Sequence, residues 1–380
     1  MHGDWRIKYT FIKLSGRFSA KASGASVTVS VTLRATANGE STITVTGCNS
    51  HISGVSVKLH VRESWLYGLF TGSLEKLVLN KLEQKLCHAA KYAISVNADR
   101  ELRTLRYSFP LQGPNKQMAL NYKLVSSPAF AKGYMESFHK GEFFSITDNT
   151  EAPFEPSPLP SPRYTSHMVT FWISDYVFNT AEYVMHKSGK LRYNMTKNDL
   201  PEIHRDRLNT TCSILYGCIG VLIPRVAYEY PDSSVEVEVL SKESPTTKID
   251  TKNFVVRFVW SIAFRVRLQN GSLNDLLEII ADQNVFLVPR IEQRVVKFRV
   301  SSIDETVTIA NTTVGEVPVE VLKYFLDTIK ETIIVPKVNE SGERGLPIPA
   351  IKHVTFINPQ LKLEKNCVRL STNVAYKANR

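Results

Sequence analysis

Three cationic side chains near the start of the chain, Arg6, Lys8 and Lys13, lie within eight residues of one another. Arginine and lysine bind phosphate oxygens through charge-assisted hydrogen bonds, so the cluster predicts a site for an anionic group. The neighbouring Trp5 and Phe11 are of the type that lies at lipid interfaces. In one extended strand Arg6 and Lys8 share a face, whereas Lys13 falls on the other face unless a bulge intervenes. The same spacing is also common on strand faces that only contact water.

The net charge of +11 is concentrated in the first part of the chain. Residues 1–110 contain 15 Lys and Arg against 7 Asp and Glu, whereas the remaining 270 residues contain 32 against 29. A basic surface attracts nucleic acid, heparan-like polymers, anionic lipid head groups or lipopolysaccharide, and it also simply increases solubility. The sequence contains no zinc-finger spacing, RNA-binding aromatic strand or lysine block, so we expect no nucleic-acid partner.

Motifs of enzyme active sites are missing from the sequence. It contains no G-x-S-x-G elbow, H-E-x-x-H helix, Walker loop or dinucleotide-binding glycine fingerprint, and its nine histidines are scattered without metal-ligand spacing. The sequence therefore offers no candidate catalytic residue for an enzymatic function. We expect a noncatalytic protein without a metal or a cofactor.

Five Asn-x-Ser/Thr triplets favour a secreted, glycosylated chain. All of them lie in the second half, at Asn194, Asn209, Asn270, Asn311 and Asn339. The opening MHGDWRIKYT has no apolar signal core, which indicates either a cytosolic protein or a form that lacks its natural start. The triplets favour the second interpretation.

Five cysteines, Cys48, Cys87, Cys212, Cys218 and Cys367, allow at most two disulfides and leave one thiol over. Their spacing alone does not decide the pairing. No apolar stretch reaches the ~20 residues that a membrane-spanning helix needs, so we expect no transmembrane segment. The best candidate, residues 212–223, is too short and is interpreted as a buried helix.

Alternating apolar residues predict long strands with one buried and one wet face. The pattern runs from Val27 to Leu33, from Val235 to Val239, and over residues 254–268, where arginines occupy the polar face. Strands of this length indicate a twisted, curved antiparallel sheet.

Two amphipathic helices are predicted, one in each half of the chain. The first covers residues 64–95, and the second begins near Pro318 and continues through Ile333. Packing against a sheet is the ordinary role of such helices. The alternative is that their apolar faces also line a cavity for lipid tails.

A proline-rich segment, residues 151–169, separates the two halves. Residues 153–162 contain five prolines, which cannot join a sheet ladder and favour extended backbone. We interpret the segment as a semi-rigid strap between folded units. The residues that follow it, 171–191, have the composition of a helix.

Several segments together resemble the bactericidal/permeability-increasing protein and lipopolysaccharide-binding protein family over essentially the whole chain. They are DWRIKYTFIKLSGRFS near the start, LNYKLVSSPAF, HKGEFFSI, FEPSPLPSP, FWISDYVFNTAEYVMHKSGKL and LSTNVAYK. The resemblance implies an α+β fold: an elongated boomerang of two pseudo-symmetric domains, each a curved antiparallel sheet or barrel with a long amphipathic helix, joined by a central sheet. Relatives have further strands before the point that matches Asp4.

The resemblance also implies domain boundaries. Residues 1–105 would form a truncated N-terminal lipid-binding barrel, 106–150 the first strands of the central sheet, 151–169 the proline-rich linker, 170–350 the C-terminal barrel, and 351–380 the return strands of the central sheet.

Ligand sites follow from the same resemblance. Arg6, Lys8 and Lys13 would bind lipid head-group phosphates, and apolar pockets would hold acyl chains of bound phospholipid, with no other cofactor. The pocket residues are Leu66, Leu69, Phe70, Leu74 and Leu77 in the first half and Leu322, Phe325 and Ile329 in the second. The expected partners are lipopolysaccharide, phospholipids and the bacterial outer-membrane surface, in secreted, antibacterial innate defence.

For the cysteines, the resemblance implies a disulfide between Cys48 and Cys87. Cys212 and Cys218 lie outside the family pattern, and six residues apart in a helix they would point to different faces, so we expect buried thiols.

Two alternative functions remain open on the sequence alone. One is the transport of neutral or zwitterionic lipids, which needs the pockets but no cationic cluster. The other is a noncatalytic protein-interaction role for a truncated form, in which an exposed sheet edge recruits a partner.

Overall fold

The computed structural model describes residues 2–9, 12–60, 66–111, 116–149, 151–161, 166–348 and 354–376. The chain divides into two compact units. The first comprises Met1–Ser108 and Tyr122–Lys140, and the second comprises Phe109–Asn121 and Gly141–Arg380.

Long antiparallel strands make up most of the regular structure. In chain order they are β1 (His2–Tyr9), β2 (Ile12–Ala35), β3 (Ser41–His60), β4 (Ser108–Pro110), β5 (Met118–Asn121), β6 (Ala129–Ala131), β7 (Tyr134–Glu136), β8 (Glu142–Ser145), β9 (Val169–Ser174), β10 (Arg192–Met195), β11 (Ser234–Ser241), β12 (Thr246–Ile249), β13 (Phe254–Arg267), β14 (Leu273–Glu292), β15 (Val295–Thr312), β16 (Leu346–Pro347), β17 (Val354–Glu364) and β18 (Cys367–Tyr376).

Each unit contains one long helical segment. The helices are α1 (Leu66–Tyr92), α2 (Asp99–Arg103), α3 (Asp175–Lys187), α4 (Ile219–Leu222), α5 (Pro224–Glu229), α6 (Val319–Ile329) and α7 (Val335–Arg344). A π-helical turn, Ala93–Ala98, joins α1 to α2, and another, Lys330–Ile334, joins α6 to α7. Both predicted amphipathic helices are therefore present, and the first continues beyond residue 95.

Helix α1 runs along β3, which is the edge strand of the three-stranded sheet β1-β2-β3. Two helix carboxylates accept hydrogen bonds from backbone N–H groups of β3: Glu75 from Val57 at 3.1 Å, and Glu83 from Ile52 at 2.9 Å. Unpaired N–H groups at a sheet edge need such partners. The helix thus provides the hydrogen bonds that a further strand would otherwise supply.

Beyond the π-helical turn, Asp99 continues the same arrangement. Its Oδ1 atom accepts from the Thr42 hydroxyl at 2.6 Å and from the backbone N–H of Ile43 at 3.0 Å. Those two bonds, with a third from Arg103, lower the pKa of the Asp99 carboxyl to about 2. The carboxylate therefore stays ionised, and able to accept these bonds, down to strongly acidic pH.

The apolar face of β2 is only partly covered. The predicted alternation from Val27 to Leu33 lies within β2, but Val27 and Val31 remain 40% and 41% exposed. The expectation of one buried face was wrong at these two positions, because the helix follows β3 and leaves the neighbouring strand open.

In the second unit, the main sheet has the strand order β10-β11-β13-β14-β15-β16, with β12 paired to β13. The predicted alternations are confirmed: Val235 and Val237 on β11 are buried, as are Ile262, Phe264 and Val266 on β13. This face packs on α6, which begins after Pro318 and buries Leu322, Phe325, Leu326 and Ile329.

Two smaller sheets, β17-β18-β9 and β4-β5-β8, complete the second unit. Residues 171–173, predicted as helical, belong to β9, because they pair with β18 and Ser174 caps α3 by accepting from the Tyr176 N–H at 3.2 Å. The proline-rich segment lies in the second unit, where the Phe154 ring makes edge-on contacts with Tyr176 and Tyr183.

The segment from Cys212 to Ile223 is not one helix. Ile214–Tyr216 forms a single 3-10 turn, Gly217 adopts φ +55°, and α4 begins only at Ile219. With the helix absent at Cys212, the two sulfurs meet, and Cys212 and Cys218 form a disulfide. The expectation of two thiols was therefore wrong.

One carboxyl group lies deep between α3 and β12. The Glu182 side chain accepts from the Thr247 hydroxyl at 2.5 Å, and burial raises the pKa of its carboxyl to about 8. Glu182 is therefore largely protonated at neutral pH in the folded protein, whereas an unfolded glutamate has a pKa of about 4.3.

The stability of the second unit should depend on this proton. Because the folded state binds it more tightly, stabilisation is present at acidic pH and is lost as the pH rises from about 4.5 to about 8. The neutral variant Glu182→Gln should lose less unfolding free energy over this range, by up to about 1.4 kcal/mol per pH unit. Urea unfolding at several pH values measures the difference.

The control variant Glu316→Gln removes an exposed carboxylate and should keep the pH profile of the wild type. If the unfolding free energies of the wild type and Glu182→Gln changed with pH in the same way, the raised pKa assigned to Glu182 would be contradicted.

Candidate functional site

The three predicted head-group cations lie on a β-hairpin. Strand β1 pairs with β2 so that Lys8 faces Lys13, Arg6 faces Ser15, and Asp4 faces Arg17. Directly paired residues of antiparallel strands share a face of the sheet. Arg6, Lys8 and Lys13 are therefore on one face, and the expectation that Lys13 points away was wrong because the chain reverses between Lys8 and Lys13.

The same face continues across all three strands of the sheet. Arg17 pairs with His60, Ser19 with Lys58, and Lys21 with Ser56. We call the resulting set of exposed cations the basic face; its members are Arg6, Lys8, Lys13, Arg17, Lys21 and Lys58. Within the described part of the chain, none of the six forms an ion pair with a carboxylate.

The opposite face of the hairpin is apolar and buried. Trp5, Phe18 and Val57 pack there against Val78 of α1. The Trp5 indole lies close to Gly16, where a Cβ atom would be 3.0 Å from Nε1. Trp5 therefore supports the basic face from behind, and the expectation that it lies at a lipid interface is not met. Phe11 is outside the described residues.

Arginines on the main sheet of the second unit have a different environment. Arg257 contacts Asp282 at 2.7 Å, and Arg265 contacts Glu238 at 2.7 Å and Asp275 at 2.8 Å. These guanidinium groups are already neutralised by carboxylates on neighbouring strands. The basic face is thus the stronger candidate for binding an external anion.

Predicted pocket residues of the first unit lie along α1. The side chains of Leu66, Leu69 and Phe70 are outside what the structure describes. Leu74 packs against the cluster behind the basic face, whereas Leu77 is 58% exposed. Val78, one position further along, is the fully buried residue of this turn.

Predicted pocket residues of the second unit form part of its core. Leu322 and Phe325 are each 2% exposed and Ile329 is 7% exposed. The Phe325 ring centroid lies 5.9 Å from that of Phe264 on β13. Protein side chains cover all three residues, so an acyl chain would reach them only if α6 moved away from the sheet.

A second disulfide belongs to the α1–β3 contact. It joins Cys48 of β3 to Cys87 of α1, the pairing that the family resemblance implied. Cys367 at the start of β18 is a free, fully buried thiol.

The five glycosylation triplets all lie in described segments. Asn194, Asn270 and Asn311 are exposed, whereas Asn209 and Asn339 are half-buried. The Asn339 amide oxygen accepts a hydrogen bond from the Val300 N–H at 2.8 Å. The three exposed asparagines are therefore the more accessible candidates for glycosylation.

Within the described residues, no group of His, Cys, Asp or Glu side chains is placed to hold a metal ion. No helix in that part of the chain has the length and apolar composition needed to cross a membrane.

Two family models match the chain. The model described as LBP / BPI / CETP family, C-terminal domain, matches residues 114–376, and the corresponding N-terminal domain model matches residues 1–97.

The chain belongs to the LBP / BPI / CETP family.

Similar members of the family include two curated proteins. A lipopolysaccharide-binding protein from Bos taurus is 27% identical over 98% of this chain and 76% of its own length. A bactericidal permeability-increasing protein from Sebastes schlegelii is 24% identical over 99% and 78%. A crystal structure of lipopolysaccharide binding protein matches with a TM-score of 0.54 at 25% identity, over 99% of this chain and 80% of that one. These matches confirm the family and the α+β fold predicted from the sequence.

Sequence reasoning missed three members of the basic face, Arg17, Lys21 and Lys58. A signal was present for Arg17 and Lys21: the cations occupy even positions up to Lys8 and odd positions from Lys13 to Lys21. A change of parity between two alternating segments is what a hairpin with a two-residue connection produces, since Tyr9 pairs with Ile12.

The two disulfides should differ in their contribution to stability. Cys48 and Cys87 are 39 residues apart, whereas Cys212 and Cys218 are six apart. Loop-closure entropy predicts a loss of about 4 kcal/mol for Cys48→Ser/Cys87→Ser and about 2 kcal/mol for Cys212→Ser/Cys218→Ser. Hydrogen exchange of peptides from the affected unit measures each loss, and an equal or larger loss for the short loop would contradict this prediction.

Proposed function

We propose that this protein is a secreted, noncatalytic lipid-binding protein of innate defence that captures lipopolysaccharide and phospholipid from bacterial outer-membrane surfaces. The observation that carries the proposal is the basic face: six exposed cations on one side of a sheet whose other side is fixed to a helix. Family membership supports the same class of ligand, because similar proteins are named for binding lipopolysaccharide.

Phosphate groups suit the basic face for electrostatic reasons. Lys8 and Lys13 are directly opposite each other, and Arg6 lies two residues along the same strand as Lys8. Like charges placed this close repel one another, so a dianionic group that bridges them is favoured. A lipid with several phosphates can contact several members of the face at once.

Acyl chains would be held by apolar surface in the first unit and by the apolar face of α6 in the second. In the first unit, Val27 and Val31 of β2 are incompletely covered, which leaves apolar surface available. In the second unit, Leu322, Phe325 and Ile329 would contact lipid after α6 has moved away from the sheet. Each methylene buried contributes about 0.8 kcal/mol, so acyl contacts would provide most of the affinity.

Secretion is supported by the same features that favour an oxidising compartment. Two disulfides and five glycosylation triplets are typical of extracellular proteins.

Charge reversal on the basic face tests head-group capture. The variant Lys8→Glu/Lys13→Glu should bind lipopolysaccharide at least about tenfold more weakly at low salt, because charge-assisted bonds to phosphate are replaced by repulsion. Binding by the wild type should weaken as ionic strength rises. Surface plasmon resonance on immobilised lipopolysaccharide at several salt concentrations measures both effects.

The control variant Lys242→Glu/Lys252→Glu makes the same change of net charge at exposed positions of the second unit. An equal loss in both variants would indicate a general charge effect and would overturn the role of the basic face.

Truncation of Phe325 tests the acyl site on α6. We expect Phe325→Ala to lower the phospholipid that copurifies with the protein, because a phenylalanine ring contributes much of the apolar surface there. The matched variant Phe254→Ala removes another fully buried ring, in a separate cluster, at a similar cost of about 3–5 kcal/mol.

Mass spectrometry of lipid extracted from folded, monodisperse samples reads out this comparison. Lipid should be lost with Phe325→Ala and kept with Phe254→Ala. Equal lipid content in the two variants would overturn the assignment of the acyl site.

A further inference from the structure

A short loop of the second unit presents two bare aliphatic side chains to solvent. Ile214 is 83% exposed and Leu215 is 93% exposed, and both lie on the 3-10 turn between Cys212 and Cys218. Residues 211–223 contain no charged side chain. An isolated exposed leucine is ordinary, but an adjacent pair on an uncharged loop indicates an interaction surface.

The base of this loop is fixed in three ways. The Cys212–Cys218 disulfide closes it, and Cys218 and Ile219 are buried at 0% and 2% exposure. The chain also touches itself closely there, since a Cβ atom on Gly220 would lie 1.6 Å from the carbonyl oxygen of Thr210.

These constraints keep the apolar pair exposed. A flexible loop would fold Ile214 and Leu215 back onto the protein, whereas a loop closed by a disulfide and anchored in the core cannot rearrange as freely. The loop is therefore preorganised, and little conformational entropy is lost when the two side chains enter an apolar medium.

Size and charge identify the kind of partner. A stable dimer needs about 800 Å² from each copy, far more than Ile214 and Leu215 present. Insertion into a lipid layer needs no minimum contact area of this kind. A loop without charged side chains also enters the layer without the cost of desolvating charged groups. We propose that loop 211–219 inserts Ile214 and Leu215 into the interfacial region of a phospholipid bilayer. This contact is independent of phosphate capture by the basic face.

Neutral vesicles separate this contact from the electrostatic one. Sedimentation with phosphatidylcholine vesicles in about 0.5 M NaCl, where the Debye length is only about 4 Å, suppresses binding through the basic face. The wild type should still bind. The variant Ile214→Ser/Leu215→Ser should bind at least about tenfold more weakly, because both aliphatic side chains are lost from the lipid contact.

A matched control is Leu273→Ser/Val288→Ser, which changes two exposed aliphatic residues on β14 and should bind as the wild type does. The variant Leu215→Trp adds a direct readout: brominated phosphatidylcholine should quench its added fluorescence.

Three outcomes would overturn the proposal: no binding of the wild type to these vesicles, undiminished binding of Ile214→Ser/Leu215→Ser, or an added tryptophan that brominated lipid does not quench. A change from dimer to monomer in Ile214→Ser/Leu215→Ser, with vesicle binding retained, would instead assign the loop to a second copy of the chain.

Discussion

The free edge of β3 is the constraint on which the first unit depends. A long strand with unpaired N–H groups would either recruit another strand or remain unsatisfied. Here the carboxylates of Glu75, Glu83 and Asp99 accept those hydrogen bonds, and the Cys48–Cys87 disulfide fixes the helix at the same edge. Because α1 is held in this way, its apolar residues pack against the buried face of the β1–β2 hairpin. The cations of the basic face therefore lie on a sheet whose other side is packed against a helix.

The two main sheets use their positive charge differently. On the sheet of the second unit, arginines on β13 pair with carboxylates on adjacent strands, which stabilises the strand register and leaves little free charge. On the sheet of the first unit, the cations face one another with Asp4 as the single acid in the paired positions around them. Such mutual repulsion costs some stability in the free protein. An anionic ligand neutralises the cations of the basic face and so removes this repulsion. The same positive charge therefore lowers the stability of the free protein and favours binding of an anion.

Periodicity predicted the elements whose residues obey one rule along their whole length. The strands around Val235 and Phe264 and the helix after Pro318 were found in this way, because one face of each lies in a core. The predictions that were wrong concern segments in which a local feature of the chain interrupts the periodic pattern. A chain reversal placed Lys13 beside Lys8, and a single capping residue, Ser174, ended a strand inside a segment that looked helical. The Cys212–Cys218 disulfide escaped prediction because a 3-10 turn, followed by a glycine at positive φ, replaces the helix expected from Cys212 onward.

Cys367 gives the chain an odd number of cysteines, yet its folded environment keeps it apart from the others. It pairs with Ser174 inside a sheet, is fully buried, and its surroundings, above all burial, raise the pKa of its thiol to about 11. A thiol attacks a disulfide only as the thiolate and only within reach, so Cys367 competes for partners in the unfolded chain and not in the folded one. Early docking of β18 onto β9 would therefore protect both native disulfides from scrambling during oxidative folding.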